Sequence, residues 1–216
     1  ILNTVCLDRS LPKRPVLLCA TNAVADNYNA RGLASLEGAA ARYTGGFEGE
    51  APKQQGDRFP APMELVLKRG ARVIFTQNDP EGRWVNGSLG TVKALDDDIV
   101  QVVLDAGEEV DVERATWPQA RWTWNAKENR MEVKEEFKYV QFPLAPAWAL
   151  TIHKAQGMTL DSVEIDLGRG AFAPGQTYVA LSRARSMETL RLTRPISARD
   201  VQVDPAIAEG LRRIGV

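Results

Sequence analysis

The sequence predicts an α/β fold, a parallel sheet flanked by helices, interrupted by a small all-β insert. Three observations predict it. An apolar run, Val16 to Ala20, opens directly into a helix-period stretch, the first half of a βα unit. Between Leu65 and about Glu135 the pattern changes to short strands divided by turn signals. After Phe142 the strand and helix patterns return. One domain, residues 1–64 plus 136–216, is therefore expected to be split by another, residues 65–135, with no internal repeat.

Taken in order, Val16–Ala20 is continuously apolar because a parallel strand buries both faces. Thr21 or Asn22 then caps a helix over about 23–36. Polar groups at such a strand end lie where α/β sheets bind anions, although Thr21 and Asn22 also read as plain caps. Residues 37–63 are rich in Gly, Ala, Pro and charge and predict loop with fragments of structure. Strands follow at 72–76, 89–95, 99–104, 108–114, 120–124 and 130–134, with turn signals in NDPEGRWVNGSLG, DDD and DAG. Strands at such short intervals predict a small antiparallel barrel, with Trp117, Trp122 and Trp124 as core or edge packing. WALTIHKAQ (148–156) predicts a short helix that Gly157 ends. SVEIDL (162–167) and TLRLT (189–193) predict strands, TYVALSRAR (177–185) a helix, and DPAIAEGLRRIG a terminal helix.

Composition narrows the class of function. The chain has 216 residues, 44% hydrophobic and 25% charged, as in an ordinary soluble globular protein. Its net charge is −1, so the whole chain offers no bulk attraction to nucleic acid. The distribution is less even. Between Lys93 and Arg114 lie eight acids (Asp96, Asp97, Asp98, Asp105, Glu108, Glu109, Asp111 and Glu113). Between Leu150 and Asp200 the bases Lys154, Arg169, Arg183, Arg185, Arg191, Arg194 and Arg199 exceed the acids, so a polyanion would choose that region. Cys6 and Cys19 make no disulfide framework, and with a single histidine no metal spacing is present. No apolar stretch is long enough to cross a bilayer and no signal peptide is evident. The expectation is a reducing compartment, cytoplasmic or nuclear, with no membrane partner; a fragment of a longer protein fits equally.

Chemistry concentrates in two short stretches. TIHKAQG (151–157) packs Thr151, His153, Lys154, Gln156 and Gly157 together, a set suited to gripping a phosphate backbone or nucleotide. GQTYVALSRAR (175–185) brings Gln176, Ser182, Arg183 and Arg185. The permanently charged Arg183 fork can neutralise a transferred phosphoryl group. No GxxxxGK[ST] loop occurs, so ATP phosphates are not cradled by that route. Singly, His153 also reads as a packing residue, and Arg183 or Arg185 as an ion-pair arginine.

Four segments occur in a telling order: LLCATNAVADNYN, RVIFTQND…WVNGSLGTV, PLAPAWALTIHKAQGMTLDSVEIDLG and GQTYVALSRARSMETLRL. Together they resemble the C-terminal half of superfamily 1 helicases of the RecD and Pif type, from about residue 15 to about 205. The resemblance implies a second RecA-like motor domain carrying an SH3-like barrel, and ATP-driven translocation on single-stranded DNA with 5′-to-3′ polarity. It implies that ATP and Mg²⁺ are held mainly by a first RecA-like domain, the partner of this one, whose motifs do not occur in this sequence. By position, Arg183 matches the arginine that reaches the γ-phosphate, and Gln156 and Gly157 the segment lining the nucleotide cleft. Thr151, His153 and Lys154 match the DNA side of that motif, and Thr21 and Asn22 the junction that touches the DNA backbone.

Two other readings stay open. One is a binding module derived from a helicase, in which the acidic insert recruits a protein. The other is the helicase portion of a DNA-nicking relaxase.

Overall fold

The computed structural model describes residues 2–7, 9–11, 14–49, 59–125 and 128–213. The chain begins with α1 (Leu2–Val5), β1 (Val16–Cys19), α2 (Asn22–Ala34), β2 (Ala41–Thr44), β3 (Gly46–Gly49), β4 (Glu64–Leu67) and β5 (Arg72–Phe75). It continues through β6 (Leu89–Leu95), β7 (Val100–Leu104), β8 (Glu109–Val112), β9 (Ala115–Asn125), β10 (Arg130–Gln141) and β11 (Leu144–Pro146). It closes with β12 (Ala149–Thr151), β13 (Val163–Asp166), α3 (Gln176–Leu181), β14 (Leu190–Leu192) and α4 (Pro205–Arg213).

Two compact units emerge, Ile1–Gly32 with Ala147–Val216, and Leu33–Pro146. These boundaries differ from the expected 64/65 and 135/136, and the pairings give the reason. β2 pairs with β4 and β3 with β10, which draws much of the expected loop at 37–49 into the second unit. β11 pairs with β5, which holds the chain there as far as Pro146. Residues 50–58 of the expected loop lie outside the described residues.

In the first unit a sheet of order β12-β1-β13-β14 is parallel throughout. β1 is central, and all four of its residues are buried, as its unbroken apolar run requires. Both edge strands are covered. Leu192 donates its N–H to Cys6 O at 2.8 Å, which seals β14 with the N-terminal segment. On the other edge, Asn29 of α2 clasps Ala149 of β12: the Ala149 N–H donates to Asn29 Oδ1 (2.8 Å) and Asn29 Nδ2 donates to Ala149 O (3.0 Å). An exposed row of main-chain groups would invite pairing with another chain, so these seals specify a closed sheet.

The stretch 148–156 is not a helix. Ala149–Thr151 is a strand, registered with Leu17–Cys19, and turns follow to Gly157. Ala149 and Leu150 are both buried, so the run satisfies a two-faced strand as well as a helix face.

In the second unit a five-stranded antiparallel sheet runs β11-β5-β6-β7-β8. Arg72 on β5 makes a two-pronged pair with Asp105, with Nη2–Oδ2 at 2.9 Å. The expected strands at 120–124 and 130–134 are longer than predicted and belong elsewhere. β9 and β10 form a long hairpin in a separate sheet of order β3-β10-β9. Trp117 packs on Tyr139 there, with ring centroids 5.7 Å apart, while Trp124 is exposed.

Candidate functional site

The predicted site residues all fall in the first unit: Thr21, Asn22 and residues 151–157 at strand ends and just beyond them, and Arg183 just past a helix. Cys19 and Thr151 are register partners at the ends of β1 and β12, and Ile152 donates its N–H to Cys19 O at 3.0 Å. The loops leaving the two strands are therefore neighbours at the sheet's C-terminal edge, where α/β sheets bind ligands. Thr21 caps α2, its Oγ1 accepting the Val24 N–H at 3.4 Å, and Asn22 is the first helical residue; both are exposed.

Thr151 is buried, and its Oγ1 accepts the Lys154 N–H at 3.3 Å. Ile152 and Ala155 are buried beyond it, while His153, Lys154, Gln156 and Gly157 face solvent. Two apolar anchors thus pin a turn that presents an imidazole, an ammonium and an amide on one short stretch. Gly157 has φ +85°, the left-handed region, and an added Cβ there would meet nothing within 4 Å.

Arg183 follows α3 and reaches this turn. Its Nη1 donates to Met158 O at 2.6 Å, one residue beyond Gly157, and its Nε donates to Val179 O at 3.0 Å. Nη2 donates to Ser182 Oγ at 2.9 Å. The main chain is tied as well, with Leu160 N–H on Arg183 O at 2.9 Å. Arg183 remains half-buried, beside the segment that carries Gln156 and Gly157. Arg185 instead pairs with Asp161 at 2.9 Å, which is an ion-pair role. Among the described residues no group of His, Cys, Asp and Glu is placed to hold a metal ion.

No protein-family profile matches the chain. Its sequence is 43% identical, over 148 residues, to the ATP-dependent DNA helicase Pif1 of Bdellovibrio bacteriovorus, across 68% of this chain and 31% of that protein. Its homologues are Pif1 DNA helicases, a superfamily 1 family. The crystal structure of Bacteroides sp Pif1 in complex with ADP-AlF4 superposes with a TM-score of 0.81 at 32% identity, covering 99% of this chain and 49% of that one. Bacteroides Pif1 in complex with ADP-AlF3 and single-stranded DNA matches with a TM-score of 0.74 at the same 32% identity, covering 98% of this chain and 48% of that one. The chain thus spans from a third to a half of the length of these Pif1 relatives. With its parallel sheet and flanking helices, the first unit has the α/β RecA-like fold.

The structure also shows groups of the first unit that sequence reasoning passed over. Phe172 is 59% exposed, and its ring lies 6.2 Å from that of His153. It sits in a loop rich in Gly and Pro, where no periodicity marks it. Gln176 was visible only as part of a polar cluster. It is buried at the start of α3, where its Oε1 accepts the Phe172 N–H at 3.0 Å and so holds that loop. Asp200 is 1% exposed and takes both prongs of Arg194 at 2.6 and 2.8 Å. That pair, with the capping box at Ser197, holds Asp200 well below the usual carboxylate range against the opposing effect of burial. A carboxylate six residues after an arginine in a loop gives no local signal of such a clamp.

Proposed function

We propose that the chain is the C-terminal motor half of an ATP-dependent DNA helicase that moves 5′ to 3′ along single-stranded DNA. In this reading the loops that cradle ATP and its Mg²⁺ belong to another RecA-like domain, and the five-stranded sheet of the second unit is the SH3-like barrel insert. The observation that carries the reading is the Arg183–Met158 bond, which sets a guanidinium fork beside Gln156 and Gly157 on accessible surface.

The residues present fit one wall of a nucleotide cleft. The planar guanidinium fork of Arg183 matches equatorial phosphoryl oxygens. Gly157 leaves open space for close approach of a ligand to the backbone. Bound ATP supplies the phosphoryl group whose cleavage drives the cycle. Arg183 neutralises charge as it builds there, an effect worth orders of magnitude in turnover. To do so its fork must leave Met158 O, and that carbonyl belongs to the turn bearing Thr151, His153 and Lys154. Cleft closure and strand grip are thereby linked through one hydrogen bond. The grip itself, with Thr21 and Asn22, addresses the phosphate backbone and not base edges, so binding is indifferent to sequence and sensitive to salt.

The test joins this chain to a RecA-like domain bearing a GxxxxGK[ST] loop, taken from its own full-length protein. Arg183→Ala then cuts ATP turnover by orders of magnitude while nucleotide affinity falls much less. Near-normal turnover removes Arg183 from the transition state and overturns the reading. A salt titration with single-stranded DNA, on the chain alone and joined, checks the grip: weak binding alone, stronger joined, and a steep loss with salt in both.

A further inference from the structure

The loop between β13 and α3 holds an aromatic ring in solvent beside the turn that carries His153. Phe172 is 59% exposed, although a phenyl ring gains more than most side chains by leaving water. The loop that displays it is fixed on both sides. Ala171 is buried, and its carbonyl accepts a hydrogen bond from Gln202 Nε2. The Phe172 N–H donates to Oε1 of the buried Gln176 at 3.0 Å. The Gly170 N–H donates to Leu167 O at 3.0 Å, and the Gly175 N–H to Gln202 O at 3.0 Å. The backbone around Phe172 is therefore already ordered, and a ligand that covers the ring has little of the loop left to immobilise.

The surroundings of the ring select the ligand. The His153 imidazole lies 6.2 Å from it, centroid to centroid, with the two planes inclined at 40°. Both residues are exposed, so the first unit does not itself close the pair off from solvent. Lys154 follows His153 in the turn, and Arg169 lies three residues before Phe172 in the loop; both are exposed. Among the described residues neither cation is paired with a carboxylate. An apolar protein surface laid over Phe172 would have to desolvate these charges, which costs more than one ring returns. A single-stranded nucleic acid supplies both complements at once, a flat base for the ring and phosphates for the cations.

We propose that Phe172, together with His153, is a stacking platform for a nucleobase of the single strand whose backbone Thr151, His153 and Lys154 grip. The platform rests on that grip and adds to it a contact that phosphates cannot make. Stacking uses the π face that every base shares, so binding stays indifferent to sequence and yet requires bases.

The experiment uses the 216-residue chain at low salt, where a phosphate grip is strongest. Two labelled strands of equal length are titrated, oligo-dT and an abasic strand with the same phosphates. The chain is expected to bind oligo-dT about tenfold more tightly than the abasic strand, the worth of one stacked base. Phe172→Leu keeps apolar bulk and removes the π face. It is expected to close most of that gap and to leave the affinity for the abasic strand unchanged. Phe172→Trp is expected to keep the gap or widen it. An oligo-dT carrying 5-iodouracil, irradiated in the complex, is expected to cross-link to Phe172 or His153. Equal affinity for the two strands, a Phe172→Leu variant that retains the full preference for bases, or cross-links confined to the exposed Tyr178 and Trp124 would each overturn the platform. If both strands still bound in those cases, the phosphate grip would stand without it. Binding of neither strand would overturn the grip and the platform together.

Discussion

Gly32 of α2 faces Trp148 so closely that an added Cβ would lie 2.5 Å from the indole ring. The contact sets the spacing between the helix and the start of β12. Gly32→Ala should gain up to about 1 kcal/mol of helix propensity but lose roughly 1–3 kcal/mol to overpacking. The expected net is destabilisation of about 1–2 kcal/mol, read as a lowered urea midpoint. In a Trp148→Leu background, itself less stable through the cavity left behind, the added cost of Gly32→Ala should largely vanish, because the two positions share one contact. Additive losses in the double variant would deny the clash.

Gly157 tests the turn that presents the candidate site. Its φ of +85° costs an L residue roughly 1–2 kcal/mol, and the open space around it means that strain alone is at stake. Gly157→Ala should therefore lower stability by about 1 kcal/mol and weaken single-stranded DNA binding by the joined motor. Gly157→Asn, whose side chain tolerates this region, should be milder on both counts. Equal behaviour of the two variants would show that backbone conformation is not what glycine supplies.

Asp200 should impose an acid limit. Arg194 depresses its folded pKa below the ordinary value of 3.8. A depressed carboxylate contributes stability that is present above pH 4 and lost as pH falls below it. Unfolding midpoints from pH 7 to pH 3 should drop, and the drop should shrink in Asp200→Asn. That variant should also be less stable at pH 7, because it removes the buried carboxylate that takes both prongs of Arg194. An undiminished acid slope in Asp200→Asn would place the titration elsewhere.

Cys19 should behave in the opposite sense. Burial pushes its thiol up to about 11 from 9.0, helped by the nearby Asp166 and Asp26 and opposed by backbone hydrogen bonding from Thr21. The thiol stays neutral in the folded state, so stability is intact below pH 9 and falls as pH rises from 9 toward 11, where the unfolded chain ionises first. In Cys19→Ala that alkaline loss should be reduced. Native Cys19 should also resist iodoacetamide at pH 8, and rapid labelling there would contradict a buried neutral thiol.

Much of the fold was legible because local pattern suffices for it. Val16–Cys19 is buried on both faces as its unbroken apolar run requires, and β6 and β13 sit where alternation places them. The helix expected at 148–156 failed because Ala149, Leu150, Ile152 and Ala155 fit either period, and only a neighbour could decide. β1 decided it by pairing Leu17–Cys19 with Ala149–Thr151. The long hairpin was underestimated for another reason. The strand expected at 120–124 extends back through Pro118, which lies on the outer strand of its sheet, where proline is tolerated. Within the site, the polar sets at 151–157 and 183 were visible as residue types at suggestive spacing. Phe172 and the Arg194–Asp200 clamp were not, since nothing local separates them from ordinary loop residues.

By itself the sequence determined the strand cores and the ordered segments that mark its Pif1 kinship. Tertiary structure alone decided the strand order β12-β1-β13-β14, which sets Thr151 beside Cys19, and the reach of Arg183 to Met158. The reason is range. Hydrophobic period and turn chemistry act over a few residues, whereas these pairings join positions far apart in the chain, and only the packing of the whole unit selects among the partners each could have taken.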